Sequence, residues 1–443
     1  MKIDIQKWSK PVYPEKISLF RILFGLVLFL QVFYFQYTGF IQKDIVDPVL
    51  HFSYPFLGFI RVLDPFLMKG FVLMLFLSSL MLIIGYRARL FSFIYLLFFS
   101  YLWLIDKGYY NNHYYLISLI LFLLCFIQSD RSLSIRSKNR GMNAAWEEYI
   151  LLFQFSIVLL FAGFNKINEW WLIHHEPMHH ILIAKANESG NLFWESSILE
   201  FILVWGGLFF DLLIVPFLLW KKTTRLAMVF FFFFNLINMI LFYKIGEIGI
   251  FPLLMLSSLI LFSSTPSIRK FLNKRFSYSL KEDKTKPENK GLSPGLKSGL
   301  IFYVVFQLLF PLRHHLYIGN VDYTGEGQRF SWRMKSVYKD FKIIFLLVDD
   351  ESGISASLDP RQVLTVKQYT NLGYYPELII PVAENLRKAA LLKGIKNPKI
   401  FVDYQVGFMA LPFQYIVDPK QEIGSLNYFP FRHSDWILPL SKD

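Results

Sequence analysis

Cysteine is almost absent from this chain. Cys125 is the single one in 443 residues, so no intrachain disulfide can form even where the chain meets an oxidising compartment. A glycine-rich phosphate loop, a zinc-finger spacing and a nucleophile elbow are also missing, which removes three common routes to a nucleotide, zinc or serine-hydrolase reading. No internal repeat is visible. The first apolar run is followed by no small-residue cleavage site, so it reads as a retained helix and not as a signal peptide.

What the chain has is apolar length. Hydrophobic residues make up 54% of it and arrive in long runs instead of amphipathic stripes. About twenty such residues cross a bilayer as helix. Nine runs approach that length, at 17–39, 64–86, 89–105, 113–129, 147–165, 195–219, 225–243, 247–263 and 298–313.

The net charge of +13 could point to nucleic acid, but its distribution argues otherwise. Basic residues gather in alternate connections: Lys2, Lys7, Lys10 and Lys16; Arg87 and Arg89; Arg131, Arg136, Lys138 and Arg140; Lys221, Lys222 and Arg225; then Arg269, Lys270, Lys274 and Arg275 onward to Lys297. That is the positive-inside pattern, and it places the N-terminus in the cytoplasm and the C-terminal segment outside. The charge describes topology, not a nucleic-acid partner.

The expected architecture is an α-helical polytopic membrane bundle of about nine transmembrane helices, followed by an extracytoplasmic α+β, mostly β domain. Residues 1–263 form the bundle. Residues 264–297, centred on KEDKTKPENKGLSPGLK, read as a charged cytoplasmic linker, and 298–313 as the last transmembrane helix. In 314–443, DFKIIFLLVDD, ISASLD and KIFVDYQVGFMALPFQYIVDP alternate like strands, while PELIIPVAENLRKAALLKG has a helical period and ends at a glycine suited to a C-cap. The expected location is a plasma (inner) membrane, crossed many times.

Four polar groupings fall on the outside face of this topology. Lys166 ends the fifth run in YILLFQFSIVLLFAGFNKINEWW; near a bilayer an ammonium is costly and marks a functional site, although terminal lysines also snorkel to headgroups. Asp106, Asn111, Asn112 and His113 lie in DKGYYNNHYYL, where the asparagines could simply cap the fourth helix. Asn235 and Asn238 interrupt FFFFFNLINMILF three apart, on one helix face, and could serve as interhelical glue. Arg313, His314 and His315 open the outside domain. The HHEPMHH segment (His174, His175, His179 and His180) has ligand-like spacing, but Pro177 breaks the helix that would carry it, so no metal is expected.

At these residues the chain resembles the vitamin K-dependent γ-glutamyl carboxylases and their bacterial relatives, the horizontally transferred transmembrane (HTTM) group. SLFRILFG resembles the start of their first helix, and DKGYYNNHYYL their D-K-x-x-W-N-N-H-x-Y-L, with Tyr110 at the Trp. FAGFNKINEWW is similar to A-G-x-x-K-x-x-x-W, and IGIFPLLM to I-G-x-F-P. QLLFPLRHHLYIGNVDYTGEGQRFSWRM, LTVKQYTNLGYYPELIIPVAENL, DYQVGFMALPFQYIVDP and WILPL follow in the order of the carboxylase-type lumenal domain. Two departures stand out. Asn235 occupies the place of the histidine in the family's F-H-x-x-N, and Asn165 replaces what is often a second lysine; a few extra residues near Tyr243 to Glu247 also precede IGIFP.

The resemblance implies a site and a reaction. Lys166 matches the lysine that deprotonates vitamin K hydroquinone, and His113 the histidine assisting the oxygenated intermediate. The deprotonated hydroquinone reacts with O2 to give a strong alkoxide base, which removes a γ-proton from a glutamyl residue, and the carbanion adds CO2. Asn112, Asn235 and Asn238 are expected beside the cofactor, which is vitamin K hydroquinone or a related reduced quinone. His314, Arg329, Trp332 and Arg333 are expected at the cavity mouth, where Arg313, Arg329 and Arg333 could hold the carboxylates of a glutamate-containing peptide. Membrane lipid and quinone are the other partners. The competing functions are a quinone-linked oxygenase or epoxidase without peptidyl carboxylation, and a non-catalytic scaffold or transporter. An Asn cannot carry the proton or charge that a His can, which raises the first competitor. Removing Lys166 is expected to leave the fold intact, because a lone amine at a helix end deletes no packed core.

Overall fold

The structure is a computed structural model, and it describes residues 5–135, 141–244, 248–276, 292–349, 351 and 353–441. Every apolar run folds as helix: α1 (Glu15–Thr38), α2 (Pro65–Ile84), α3 (Ala88–Leu104), α4 (Asn112–Leu124) and α5 (Ala145–Phe164) come first. A connecting helix α6 (Met178–Ser189) precedes α7 (Ser197–Leu219), α8 (Thr224–Leu241), α9 (Phe251–Phe262), α10 (Thr265–Phe276) and α11 (Pro294–Leu309). Among the described residues, six of these are long and apolar enough to cross a membrane: α1, α2, α5, α7, α8, and α11 with its extension to Leu316. The pair α9 and α10, bent by 102°, counts as a seventh if it is one broken span, and α3 and α4 are shorter apolar helices. Nine full crossings are therefore more than these helix lengths provide.

Two arginines hold the chain that follows the short α4 in turns: Arg21, on α1 and fully buried, donates to the carbonyls of Ser129 (3.0 Å) and Leu133 (2.6 Å), and Arg89 donates to those of Phe126 (2.8 Å) and Ile127 (3.4 Å). Gly85 makes room for the Arg21 guanidinium. A Cβ there would lie 2.3 Å from Nη1 of Arg21, and its φ of +72° is itself a conformation glycine adopts without penalty.

Within the stretch expected to be linker, α10 is helical instead: Arg269 lies over the Tyr13 ring (3.9 Å) and 3.5 Å from Glu15, tying this helix to the start of α1. Most of KEDKTKPENKGLSPGLK lies outside the described residues, as do Lys2, Arg136, Lys138, Arg140 and Glu247.

The C-terminal domain carries four antiparallel strands, β1 (Lys339–Asp349), β2 (Ile354–Leu358), β3 (Lys399–Phe408) and β4 (Phe413–Tyr415), in the order β2-β1-β3-β4. Ile400, Val402, Tyr404 and Val406 are fully buried while their neighbours are only partly so, the alternation of a sheet with one packed face. That face receives α12 (Val366–Tyr374) and α13 (Ile379–Leu392). The glycine expected to end the latter is Gly394, at φ +87°. Helix α12 was legible only in Thr365-x-x-Gln368, whose side chains form a reciprocal capping box.

One basic residue gives the domain a measurable signature. Lys339 is buried and donates to the carbonyls of Tyr323 (2.6 Å) and Tyr374 (3.0 Å). Burial lowers its pKa to about 7, against the opposing pull of Asp322 and Glu377. Between about pH 7 and the ordinary lysine value near 10.4, the unfolded chain binds more protons than the folded one. Stability should therefore rise with pH across this window, by at most about 1.4 kcal/mol per unit, and fall as pH drops toward 7. Thermal unfolding of Lys339→Met should lack this rise; an unchanged pH slope in the variant would contradict the assignment.

Candidate functional site

The fifth apolar run ends in a turn, not a frayed helix. The amide of Lys166 donates to Gly163 (3.0 Å), and Asn168 both donates to the carbonyl of Asn165 (2.8 Å) and accepts from the amide of Trp171 (3.0 Å). Helices α5 and α7 approach closely here: a Cβ on Gly163 would lie 2.7 Å from the Leu212 side chain and 3.1 Å from its amide nitrogen. Across that contact the Lys166 ammonium donates to the Asp211 carboxylate, and it also sits 5.0 Å from the Trp171 ring centroid. Both charged side chains are buried. Lys166 thus has a partner that sequence reading missed. The signal was Asp211 in GGLFFDLLIV, the one charge in the inner part of the sixth run, and such a charge carries the same default as Lys166.

His113 occupies the first turn of α4. Asn111 caps that helix by accepting from the His113 amide (3.3 Å), so for this residue the capping alternative holds. The His113 ring faces Gly249 of IGIFP, where a Cβ would lie 3.4 Å from Cε1 and Nε2. Two motifs far apart in sequence meet at this imidazole. Asn112 does something else: its amide donates to the Arg333 carbonyl (3.0 Å) while its oxygen accepts from Tyr110 (2.9 Å), whose own oxygen accepts from the Phe330 amide (2.8 Å). Asp106 likewise accepts from Gln368 (2.8 Å), and Tyr109 bonds Thr365 (2.9 Å). DKGYYNNH therefore fastens the C-terminal domain to the bundle.

A cavity of about 850 Å³ brings these groups together. Lys166, Asp211, His113, Asn112, Asn235 and Asn238 all line it. Asn235 donates to the Phe231 carbonyl of its own helix (2.8 Å), so that bond is not interhelical glue. Phe209, Leu213 and Phe217 on α7, with Phe230, Phe233 and Ile237 on α8, line the cavity yet are exposed on the bundle surface, so it reaches the lipid-facing side between these helices. At the other extreme the C-terminal domain contributes Arg333, Met334, Lys335 and Tyr375.

Comparison with known families decides what this arrangement belongs to. Residues 9–266 match the HTTM domain, and residues 294–443 match the vitamin K-dependent gamma-carboxylase, lumenal domain. The chain belongs to the HTTM family. No solved structure matches it.

Within this HTTM protein, the residues expected at the cavity mouth divide. Arg333 lines the cavity, but its guanidinium is held by Asp322 in two bonds, at 2.9 and 2.6 Å. Trp332, His314 and Arg329 are not among the lining residues. Trp332 is fully buried and stacks on Tyr115 of α4 at 5.0 Å, acting as a plug between domain and bundle. His314 is buried and bonded through Nδ1 to the Pro311 carbonyl (2.7 Å). Arg329 pairs with Glu377 and lies over the Tyr375 ring at 3.8 Å. Burial works against the Arg329 charge, but Glu377 together with Tyr375 and Tyr54 outweighs it and lifts the guanidinium above its ordinary value. Arg313 donates to the Phe310 carbonyl (3.1 Å), the Ser331 hydroxyl (3.2 Å) and the Arg329 carbonyl. The three arginines expected to grip a carboxylate are thus engaged within the protein, because each sits where the domain folds onto the bundle. Lys335, which lines the cavity 5.2 Å from the Phe242 ring centroid, is a cation that sequence reading did not single out.

The histidine-rich segment is paired with carboxylates. His175 and His179 each bond Glu200 at 2.7 Å, and His180 bonds Glu176, also at 2.7 Å. Through Met178, which lines the cavity, this segment forms part of the cover over it.

The Lys166–Asp211 pair changes one expectation. Taking away the amine leaves a buried carboxylate without its counter-charge, which costs about 3–5 kcal/mol. Lys166→Ala should therefore melt well below the parent in lipid nanodiscs, and adding Asp211→Asn should recover most of the loss. Equal melting temperatures for the single and double variants would show that the pair is not buried as described.

Proposed function

We propose that the protein oxygenates a reduced quinone drawn from the membrane and couples that reaction to carboxylation of glutamyl residues. The observation that carries this reading is the cavity. It joins a buried Lys–Asp pair and a histidine to apolar walls that open toward lipid, in a chain carrying both carboxylase-type domains. A fused-ring quinone with an apolar tail fits this composition: Phe210, Phe231 and Phe234 supply aromatic walls, and the gap between α7 and α8 admits the tail. When bound, the reduced quinone would supply with O2 the strong base that takes a glutamyl γ-proton and leaves a carbanion to add CO2. Lys166, Asp211 and His113 hold and move protons at the quinone hydroxyls, and the buried walls exclude water that would quench a strong base. In this reading the N-terminus is cytoplasmic, the C-terminal domain is outside, and the protein resides in a plasma (inner) membrane.

One observation favours a second reading. Asn235 lines the cavity where the resemblance places a histidine, and its amide is already bonded to Phe231. An oxygenase or epoxidase that no longer carboxylates would tolerate that change.

Purified protein given reduced quinone, labelled CO2 and a short glutamate-rich peptide separates the two. Epoxide with incorporated label supports the carboxylase, epoxide alone supports the oxygenase, and neither product would overturn both. If the second reading holds, Asn235→His should raise label incorporation more than quinone turnover.

A further inference from the structure

A buried lysine beside a carboxylate is a poor free base. Asp211 is the one carboxylate among the described residues lining the cavity, and it lies against Lys166. A neutral Lys166 beside an ionised Asp211 would leave a charge without its partner in a wall of phenylalanine and leucine, one of the costliest arrangements a protein interior offers. A neutral Lys166 beside a protonated Asp211 would exchange the ion pair for a weaker neutral hydrogen bond. With Lys166 charged and Asp211 ionised, the pair is neutral as a unit. An ammonium, however, has no lone pair with which to accept another proton. Of the two partners, only the carboxylate then can.

We propose that Asp211, and not Lys166, is the proton acceptor for a hydroxyl of the bound reduced quinone, while Lys166 remains the cation throughout. This assignment rests on the quinone reading above. In the step, the substrate O–H bond breaks and an O–H bond forms at the Asp211 carboxylate. The Lys166 ammonium shifts its contact from that carboxylate to the oxygen that has lost the proton. One cation faces one anion before and after, so no net charge is separated in the apolar cavity. Transfer to a neutral amine would instead create charge while the carboxylate stayed ionised beside it. No oxidant takes part in this step.

The surroundings suit the exchange. The turn fixed by Asn165 and Asn168 holds the Lys166 backbone, and the Trp171 ring, 5.0 Å from the amine, gives the cation a second contact while it changes partners. Trp171 is itself anchored by its indole N–H to the Val204 carbonyl of α7 (3.0 Å).

The test uses the full chain in lipid nanodiscs and 1-naphthol, which offers a fused-ring hydroxyl without the second hydroxyl of a hydroquinone. Binding is followed by quenching of Trp171 fluorescence against a Trp171→Phe control, ionisation by naphtholate absorbance, and the proton's destination by difference infrared spectroscopy. Naphtholate formation in the parent protein should be accompanied by the C=O stretch of a protonated carboxyl group, and that band should vanish in Asp211→Asn. Naphtholate without the band, or bound naphthol that stays neutral, would overturn the assignment. Failure to bind would sink the quinone site and this inference with it. Quinone oxidation supplies a second reading: Asp211→Asn should lose at least about 10²-fold in rate and Asp211→Glu should recover part of it. Full activity in Asp211→Asn would return the role to Lys166. If the parent protein oxidises no quinone at all, the proposed function fails while the infrared result still decides where the proton goes.

Discussion

A lysine and an aspartate facing one another across the α5–α7 contact set the terms for the rest of the molecule. Neither charge would be tolerated alone in that apolar wall, so each helix must present its residue at the same depth and rotation. Gly163 allows the close approach, and the turn after Phe164 delivers the amine. Helix α8 completes the cavity from the far side without touching the pair's register, as its packing is against α7 and α9. The cavity is lined by both charges, and the proposed chemistry uses the same two.

The C-terminal domain is built onto this arrangement by strain that packing sustains. Phe330, Trp332 and Lys335 have φ of +63°, +56° and +50°, left-handed values that cost side-chain-bearing residues of order 1–3 kcal/mol each. Trp332 stacked on Tyr115 and Phe330 against Tyr110 (4.7 Å) hold the backbone there. The reward is geometric. Such a contorted segment turns Trp332 into the bundle while directing Arg333, Met334 and Lys335 to the cavity, which an extended strand could not do in four consecutive residues. The carboxylase-type domain is thus a wall of the site as well as its neighbour.

Much of this was legible in the sequence, for reasons that differ by element. Apolar run length found α1 to α5, α7 to α9 and α11, because in lipid a helix must satisfy its own backbone, but not α6 or α10, and strand alternation found β1, β2 and β3. Run length could not show that Arg21 and Arg89 would bind the carbonyls just beyond α4, since both arginines lie on other helices. The motif resemblance located Lys166, His113, Asn112, Asn235 and Asn238, and the fold places them around one cavity. It misled at Trp332, His314 and Arg329, where aromatic and basic residues in a motif were read as ligand contacts but serve the seam between domain and bundle. Asp211 is not legible from run composition, because an apolar run that holds one carboxylate does not show where its counter-charge lies. Its partner at the end of the preceding run was the clue.

The central claim, that a quinone occupies the space between α7 and α8 beside Lys166 and Asp211, can be tested without any turnover. A photoreactive naphthoquinone added to the protein in nanodiscs, irradiated and mapped by peptide mass spectrometry, should label the α7 and α8 segments around Phe210, Phe231 and Phe234. Excess unlabelled quinone should suppress that labelling. Adducts confined to other helices, or labelling of these segments that excess quinone does not reduce, would contradict the account.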